Sequence, residues 1–215
     1  MKAWSNCFEP TLDLEIRDNF PLQGNWNRDY FKNDHPIVLE LGCGKGEYTV
    51  GLAKHYPNRN FIGVDIKGAR IWAGAGEATK ANMMNVAFLR TKIDYINTYF
   101  GEQEVDEIWL TFSDPQPKKP RKRLTSRLFI ERYLKLLKPG GIIHLKTDST
   151  LLYESTMEQI ALHGYALLES TADLYREMNP EIDETTREIL HIRTHYEKLF
   201  VSRGEVIKYC RFRIS

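Results

Sequence analysis

Glu40, three glycines at positions 42, 44 and 46, and Asp65 form the most chemically suggestive pattern in this sequence. Val38-Leu39-Glu40-Leu41 is a short apolar run with an acid near its end, and it spills into Gly42-Cys43-Gly44-Lys45-Gly46. Glycines at this spacing strip side chains from a turn, so that backbone approaches a ligand closely and takes positive φ angles. The stretch from Glu47 to Ala53 reads as a helix whose first N–H groups point back at the same place. A phosphate-binding P-loop requires Lys-Ser/Thr after its last glycine, and here Gly46 leads into Glu47. A dinucleotide fingerprint would put its third glycine at position 47. What fits is a turn for a cofactor without a pyrophosphate, S-adenosylmethionine. Asp65 ends a second apolar run, Asn60 to Asp65, about 20 residues beyond the turn, the spacing at which such folds hydrogen-bond a ribose. A nicotinamide dinucleotide also carries a ribose, so the glycine spacing makes the distinction. The plainer alternative for Glu40 and Asp65 is a pair of strand-end acids in water.

Further along, Trp109-Leu110-Thr111-Phe112-Ser113-Asp114-Pro115-Gln116-Pro117 is an apolar strand that ends in Ser-Asp and a Pro-x-Pro turn. The prolines lock φ and force an extended path, which aims the Asp114 carboxylate. Without the glycine turn upstream it would read as an ordinary Asp-Pro turn. Lys118-Lys119-Pro120-Arg121-Lys122-Arg123-Leu124-Thr125-Ser126-Arg127 follows at once, with six cations in ten residues and no acid. Such a loop attracts phosphates and positions a nucleic acid without reading its sequence. It can also be no more than a solvated face. Its place directly after a strand puts it at the carboxyl edge of a sheet, beside the glycine turn.

Apolar runs alternating with helical patterns are the elements that must position these residues, and they indicate a mostly parallel sheet covered on both faces. The runs predict strands at Ile37–Leu41, Asn60–Asp65, Val86–Arg90, Glu107–Ser113 and Gly141–Thr147. Helices are predicted at Glu47–His55, Gly68–Ala81, Thr125–Leu137 and Leu151–His163. Lys138-Pro139-Gly140-Gly141 is expected to stop a helix and turn into the fifth strand. Tyr165–Ser170 and Val206–Ile214 read as a hairpin-like pair closing the sheet edge, on either side of a polar stretch from Asn179 to Glu184. Residues 1–35 have little periodicity and are expected to form a loosely packed N-terminal arm, followed by a single domain over 36–215.

Composition sets modest bounds. The chain has 215 residues and a net charge of +1, so any affinity for a polyanion must be local. No apolar stretch reaches membrane-spanning length, and the N-terminus lacks a basic-plus-apolar signal pattern. Three scattered cysteines argue for a reducing cytoplasm and against a disulfide framework. Cys43 reads as a small apolar turn residue. The six histidines show no metal-ligand spacing, so no metal is expected. No heptad or exposed apolar stripe is visible, and a monomer is the default expectation.

With Ser113-Asp114-Pro115-Gln116-Pro117-Lys118-Lys119, Leu145-Lys146-Thr147-Asp148 and Thr194-His195-Tyr196-Glu197 all in order, the chain resembles the bacterial tRNA (guanine-N7)-methyltransferases of the TrmB type. The resemblance runs from about Ile37 to the last residues. It implies a Rossmann-like class I methyltransferase fold: an α/β protein with a mostly parallel seven-stranded sheet, helices on both faces and an antiparallel C-terminal strand. It implies S-adenosylmethionine as cofactor, tRNA as partner and methylation of guanine N7, at guanine 46 of the variable loop. Glu40, Asp65 and Asp114 then line the cofactor pocket, together with Gly42, Gly44 and Gly46, and Asp114 lies at the catalytic centre. Lys118, Asp148, Thr194, Tyr196 and Glu197 fall where the family contacts its substrate, and Lys119, Arg121, Lys122 and Arg123 are the expected phosphate contacts. Three departures stand out. Gln116 takes the place of a usual Trp, Asp65 that of a Glu, and Lys92 that of a cofactor-contacting Asp, so that either Asp94 substitutes or the adenine is held differently.

Guanine N7 carries its lone pair in the neutral base, so attack on a methyl group needs no prior loss of a proton. Alignment then carries most of the burden, and can supply roughly 7–11 kcal/mol. A carboxylate such as Asp114 favours the cation that develops on the base. Glu197 or Asp148 can accept hydrogen bonds from guanine N1–H and N2–H₂, which adenine does not offer in that arrangement. Three other classes compete. A methyltransferase for an exocyclic amine or a protein amide also puts Asp or Asn before Pro here, but expects an aromatic residue where Lys118 stands. A nicotinamide dehydrogenase is disfavoured by the glycine spacing. A non-catalytic RNA-binding module leaves the glycine turn, Asp65 and Asp114 without purpose.

Overall fold

The computed structural model describes residues 4–10, 20–179 and 182–214. Its strands are β1 (Cys7–Phe8), β2 (Ile37–Leu41), β3 (Asn60–Asp65), β4 (Val86–Arg90), β5 (Val105–Thr111), β6 (Leu137–Thr147), β7 (Ala166–Thr171) and β8 (Lys208–Arg213). They form one sheet in the order β1-β4-β3-β2-β5-β6-β8-β7. Every pairing is parallel except the two made by β8, which runs against both β6 and β7. β2 and β3 are buried along their whole length, which is why they read as continuous apolar runs with no alternation.

Seven α-helices surround the sheet: α1 (Glu47–His55), α2 (Gly68–Lys80), α3 (Ile96–Tyr99), α4 (Arg127–Leu136), α5 (Thr150–His163), α6 (Glu184–Leu190) and α7 (His195–Ser202), counted among the described residues. Alternate residues of β2 feed opposite cores. Ile37, Leu39 and Leu41 pack with Tyr99, Phe129, Tyr133, Leu152 and Ile160 of α3, α4 and α5. Val38 packs on the other side with Tyr48, Ile71 and Ile189 of α1, α2 and α6. β2 therefore sits where the winding of the sheet reverses, with β3 on one side and β5 on the other. The crevice beyond the carboxyl ends of those strands is where such folds bind ligands.

The class I architecture expected from the sequence is the one observed, with three corrections. The sheet has eight strands, because Cys7 and Phe8 add a two-residue parallel edge to β4. β6 starts at Leu137 and not at Gly141: Leu137 already pairs with Val105, the register shifts between Val105 and Glu107, and Gly140 takes φ +78° within the irregular stretch. The described part of the expected loose arm is packed. Trp26 is fully buried, stacks on Phe100 at 5.6 Å and donates its indole N–H to Tyr99 O at 2.9 Å. Residues 1–3 and 11–19 of that arm, and Pro180 and Glu181 of the polar stretch, lie outside the described residues. The rest of that stretch leads into α6, whose first turn is capped by Asp183 accepting from Thr186 N.

Candidate active site

A cleft of about 730 Å³ opens at the carboxyl ends of β2, β3, β4, β5 and β6. The glycine turn forms its floor. Gly42, Gly44 and Gly46 all have positive φ, at +85°, +55° and +74°. A Cβ on Gly42 or Gly44 would meet nothing within 4 Å, so both present bare backbone to open space. Gly46 works inward: a Cβ there would lie 2.5 Å from the Phe88 ring, and the residue is buried at the start of α1. It shapes the turn without lining the cleft. Cys43 is buried, and burial pushes its thiol well above the ordinary value, which keeps it protonated and unreactive.

Asp65 holds the turn from the neighbouring strand. Its Oδ2 accepts from Gly44 N at 3.0 Å and its Oδ1 from Lys67 N at 2.8 Å. Glu40 is 3% exposed. Its carboxylate accepts from Thr49 N at 2.8 Å and from the hydroxyls of Thr49 and Thr111. Burial pushes its pKa up to about 7, against these donors, which favour the charged form. Thr49 and Thr111 are partners that the sequence reading missed. A lone hydroxyl in a helix (Thr49) or at the end of an apolar strand (Thr111) carries no signal of its own until the fold brings a carboxylate against it.

Asp114 stands at the rim after β5. Its Oδ1 accepts from Gln116 N at 2.9 Å, closing a turn across Pro115 in which Gln116 takes φ +46°. Asp114 and Gln116 both line the cleft, as do Asp148, Thr194 and Tyr196 from the opposite wall. Burial raises the Asp148 carboxyl above its usual value. Lys208 on β8 steadies that loop by donating to Asp148 O at 2.8 Å.

Four expected contacts are placed differently. Glu197 has no exposed surface and does not line the cleft. Its carboxylate lies 3.0 Å from Lys146 Nζ and accepts from the Tyr175 hydroxyl, so it is an internally paired group. Arg123 is 7% exposed. Its guanidinium donates to Pro115 O at 3.0 Å and Ser155 Oγ at 2.7 Å, tying down the Pro-x-Pro turn where a phosphate contact was expected. Asp94 lines the cleft, but Lys122 Nζ donates to its Oδ1 at 2.8 Å, and that bond holds the Asp94 carboxyl below its usual value. The pair engages both residues with each other. Lys118, Lys119 and Arg121 are exposed along the loop, as is Lys122 despite its bond to Asp94.

Aromatic residues complete the wall. Phe112 and Phe200 lie 6.0 Å apart, Tyr196 stacks on Phe200, and the Arg70 guanidinium sits 5.4 Å over the Tyr196 ring. Ser113 Oγ and Thr91 Oγ1 also line the cleft, and each is buried without a hydrogen-bond partner. Among the described residues, no group of three or more His, Cys, Asp or Glu side chains is arranged to hold a metal ion. None of the described helices is long and apolar enough to cross a membrane.

Comparison with known proteins adds to this geometry. Residues 34–210 match a family model described as "Putative methyltransferase". The tRNA (guanine-N(7)-)-methyltransferase of Porphyromonas gingivalis is 56% identical, over 100% of this chain and 87% of the relative. That of Bacteroides thetaiotaomicron is 50% identical, over 100% of this chain and 82% of the relative. Among solved structures, the 16S rRNA methyltransferase KamB superposes with a TM-score of 0.66 at 14% identity, covering 90% of this chain and 94% of its own. At that identity the likeness concerns the fold.

Proposed function

The chain belongs to the bacterial tRNA (guanine-N(7)-)-methyltransferase family, and from that premise we propose that it methylates N7 of a guanine in tRNA, at guanine 46 of the variable loop. The observation that carries the reading is one cleft in which the glycine turn and Asp65 face Asp114 and Asp148, with an exposed cationic loop at its edge.

S-adenosylmethionine is the methyl donor, and the residues present suit it. Gly42 and Gly44 leave room for close backbone approach. The Asp65 carboxylate faces the same space with lone pairs for ribose hydroxyls, and the unpartnered Ser113 and Thr91 hydroxyls offer further polar contacts. When bound there it supplies a methyl group on a positively charged sulfur. Glu40 acts from behind, holding Thr49 at the start of α1 and Thr111 at the end of β5, so that turn and rim keep their spacing. Asp114 places a negative charge where the base becomes cationic, and no general base is required. With Glu197 internal, Asp148 is the carboxylate available to accept from guanine N1–H and N2–H₂. Tyr196, backed by Arg70 and Phe200, presents a ring for stacking. Lys118 and Arg121 meet phosphates beyond the cleft, and Lys119 does so at its edge. The cytoplasm is the corresponding location, in keeping with three free cysteines.

The test is incubation with bulk tRNA lacking 7-methylguanosine, followed by nucleoside analysis. Accumulation of 7-methylguanosine is expected, and its loss when guanine 46 is replaced by adenine assigns the position. Methylation of an exocyclic amine in its place would overturn the reading.

A further inference from the structure

Lys146 is the one lysine on β6 with no exposed surface. An ammonium has three protons to donate, and here all three are placed: Leu190 O at 2.7 Å, Ile192 O at 3.1 Å and Glu197 Oε2 at 3.0 Å. The first two acceptors close the end of α6 and the turn after it. The third is in the first turn of α7. Between them in sequence stand Thr194 and Tyr196, which line the cleft. The same ammonium is framed by the rings of Tyr48 at 5.3 Å, Phe112 at 5.9 Å and Tyr175 at 5.9 Å.

From this arrangement we propose that Lys146 is a positioning residue for substrate: its buried ammonium sets the Thr194–Tyr196 wall against the target base, with Glu197 as its counter-charge. The inference rests on the proposed tRNA reading of the cleft. Two features argue for positioning over simple packing. An ion pair sealed from water is a poor device for stability, since well-packed apolar side chains of the same size generally serve as well or better. And its three bonds bracket the cleft-lining residues on both sides. Thr194 Oγ1 in turn accepts from Glu197 N at 3.1 Å, so the residue whose carboxylate Lys146 holds also donates, through its backbone, the capping bond of α7. On the cofactor side, Asp65 and Glu40 hold the glycine turn through hydrogen bonds that do not involve the Lys146 ammonium. The two halves of the site are joined by His195 N donating to Glu47 Oε2 at 2.9 Å and by the Tyr48 hydroxyl donating to Ile189 O at 2.8 Å.

The experiment compares wild type with Lys146→Met and with the milder Tyr175→Phe, which removes one hydrogen bond to Glu197 and leaves the ion pair. KM for tRNA, KM for S-adenosylmethionine, kcat and cofactor Kd are measured on protein whose folding is checked by circular dichroism. Lys146→Met should raise KM for tRNA at least tenfold and lower kcat, with the cofactor Kd within about twofold. Tyr175→Phe should move the same quantity in the same direction by a few-fold. The double variant Lys146→Met with Glu197→Gln removes the stranded carboxylate and should regain thermal stability without regaining the tRNA KM. Recovery of KM together with stability would overturn the proposal, as would equal losses for cofactor and tRNA. If Lys146→Met does not fold, Tyr175→Phe and the double variant decide the matter by the same KM comparison. Should wild type form no 7-methylguanosine, the reading of the site fails; should wild type be active and the variants unaltered, only the role of Lys146 fails.

Discussion

Replacing Asp65 with alanine should damage cofactor binding through two routes at once. The carboxylate makes bonds of 3.0 Å with Gly44 N and 2.8 Å with Lys67 N. Hydrogen bonds to a charged group contribute about 1.5–3 kcal/mol each. Loss of the Gly44 bond frees the turn, whose left-handed glycines have many other conformations open to them. Loss of the lone pairs that face the cleft removes the partner of the ribose hydroxyls. One charged bond for the ribose, plus part of another for re-ordering the turn, gives about 2–4 kcal/mol, or roughly 30- to 1,000-fold in Kd. Asparagine should be little better. Its amide must direct an NH₂ at either Gly44 N–H or Lys67 N–H, setting donor against donor. Isothermal titration with S-adenosylmethionine and with S-adenosylhomocysteine is the assay, run on variants whose thermal unfolding remains cooperative. A Kd within threefold of wild type in a folded Asp65→Ala protein would refute the reasoning.

Three further outcomes are expected. Changing Lys118, Lys119 and Arg121 together to alanine should weaken tRNA binding and make its dependence on salt shallower by about 2–3 units of slope, with cofactor Kd unaltered. An unchanged slope in filter-binding titrations would reduce these cations to a solvated loop. Asp114→Asn should lower single-turnover methylation by roughly 10²–10³ at saturating tRNA and S-adenosylmethionine, and the wild-type rate should show no pH limb from a titrating base. Near-normal turnover would leave Asp114 as a turn residue. The third concerns Glu107, where burial alone would raise the carboxyl but His144, Arg59 and Trp109 together hold it down to about 2. A depressed folded value stabilises the fold above the unfolded pKa and is lost as pH falls toward 2. The contribution is of the order of 3 kcal/mol. Glu107→Gln should therefore lower the melting temperature at pH 7 and flatten its decline between pH 5 and 2.5, and parallel curves for the two proteins would contradict this.

How much of this was legible beforehand divides along physical lines. The bounds of β2, β3 and β4 follow directly from their apolar runs, because a strand buried on both faces writes its whole length into the sequence. The glycine turn was equally plain, since bare backbone at positive φ demands glycine. β1 was invisible: two residues have no period. α6 and α7 were passed over because each is capped by a polar side chain, Asp183 and Thr194, inside a stretch that reads as loop. Charged residues misled most. Glu197 and Arg123 read as surface groups because their partners, Lys146 and Ser155, are 51 and 32 positions away. Lys122, expected at a phosphate, and Asp94, expected at the cofactor, pair with each other at the cleft. Only the fold brings such pairs together, so composition and motif spacing carry no trace of them.

The antiparallel strand has a consequence for the order of assembly. β8 follows in the sequence every strand that it joins, yet it lies between β6 and β7 in the sheet. Until it emerges from the ribosome, β7 has no strand partner and β6 keeps one edge open. Pairings of this long sequence separation form late and slowly. The same strand carries Lys208, which steadies the Asp148 loop. In chain order the glycine turn is therefore complete long before the strand that steadies the Asp148 loop, so the two sides of the cleft depend on segments made at different times.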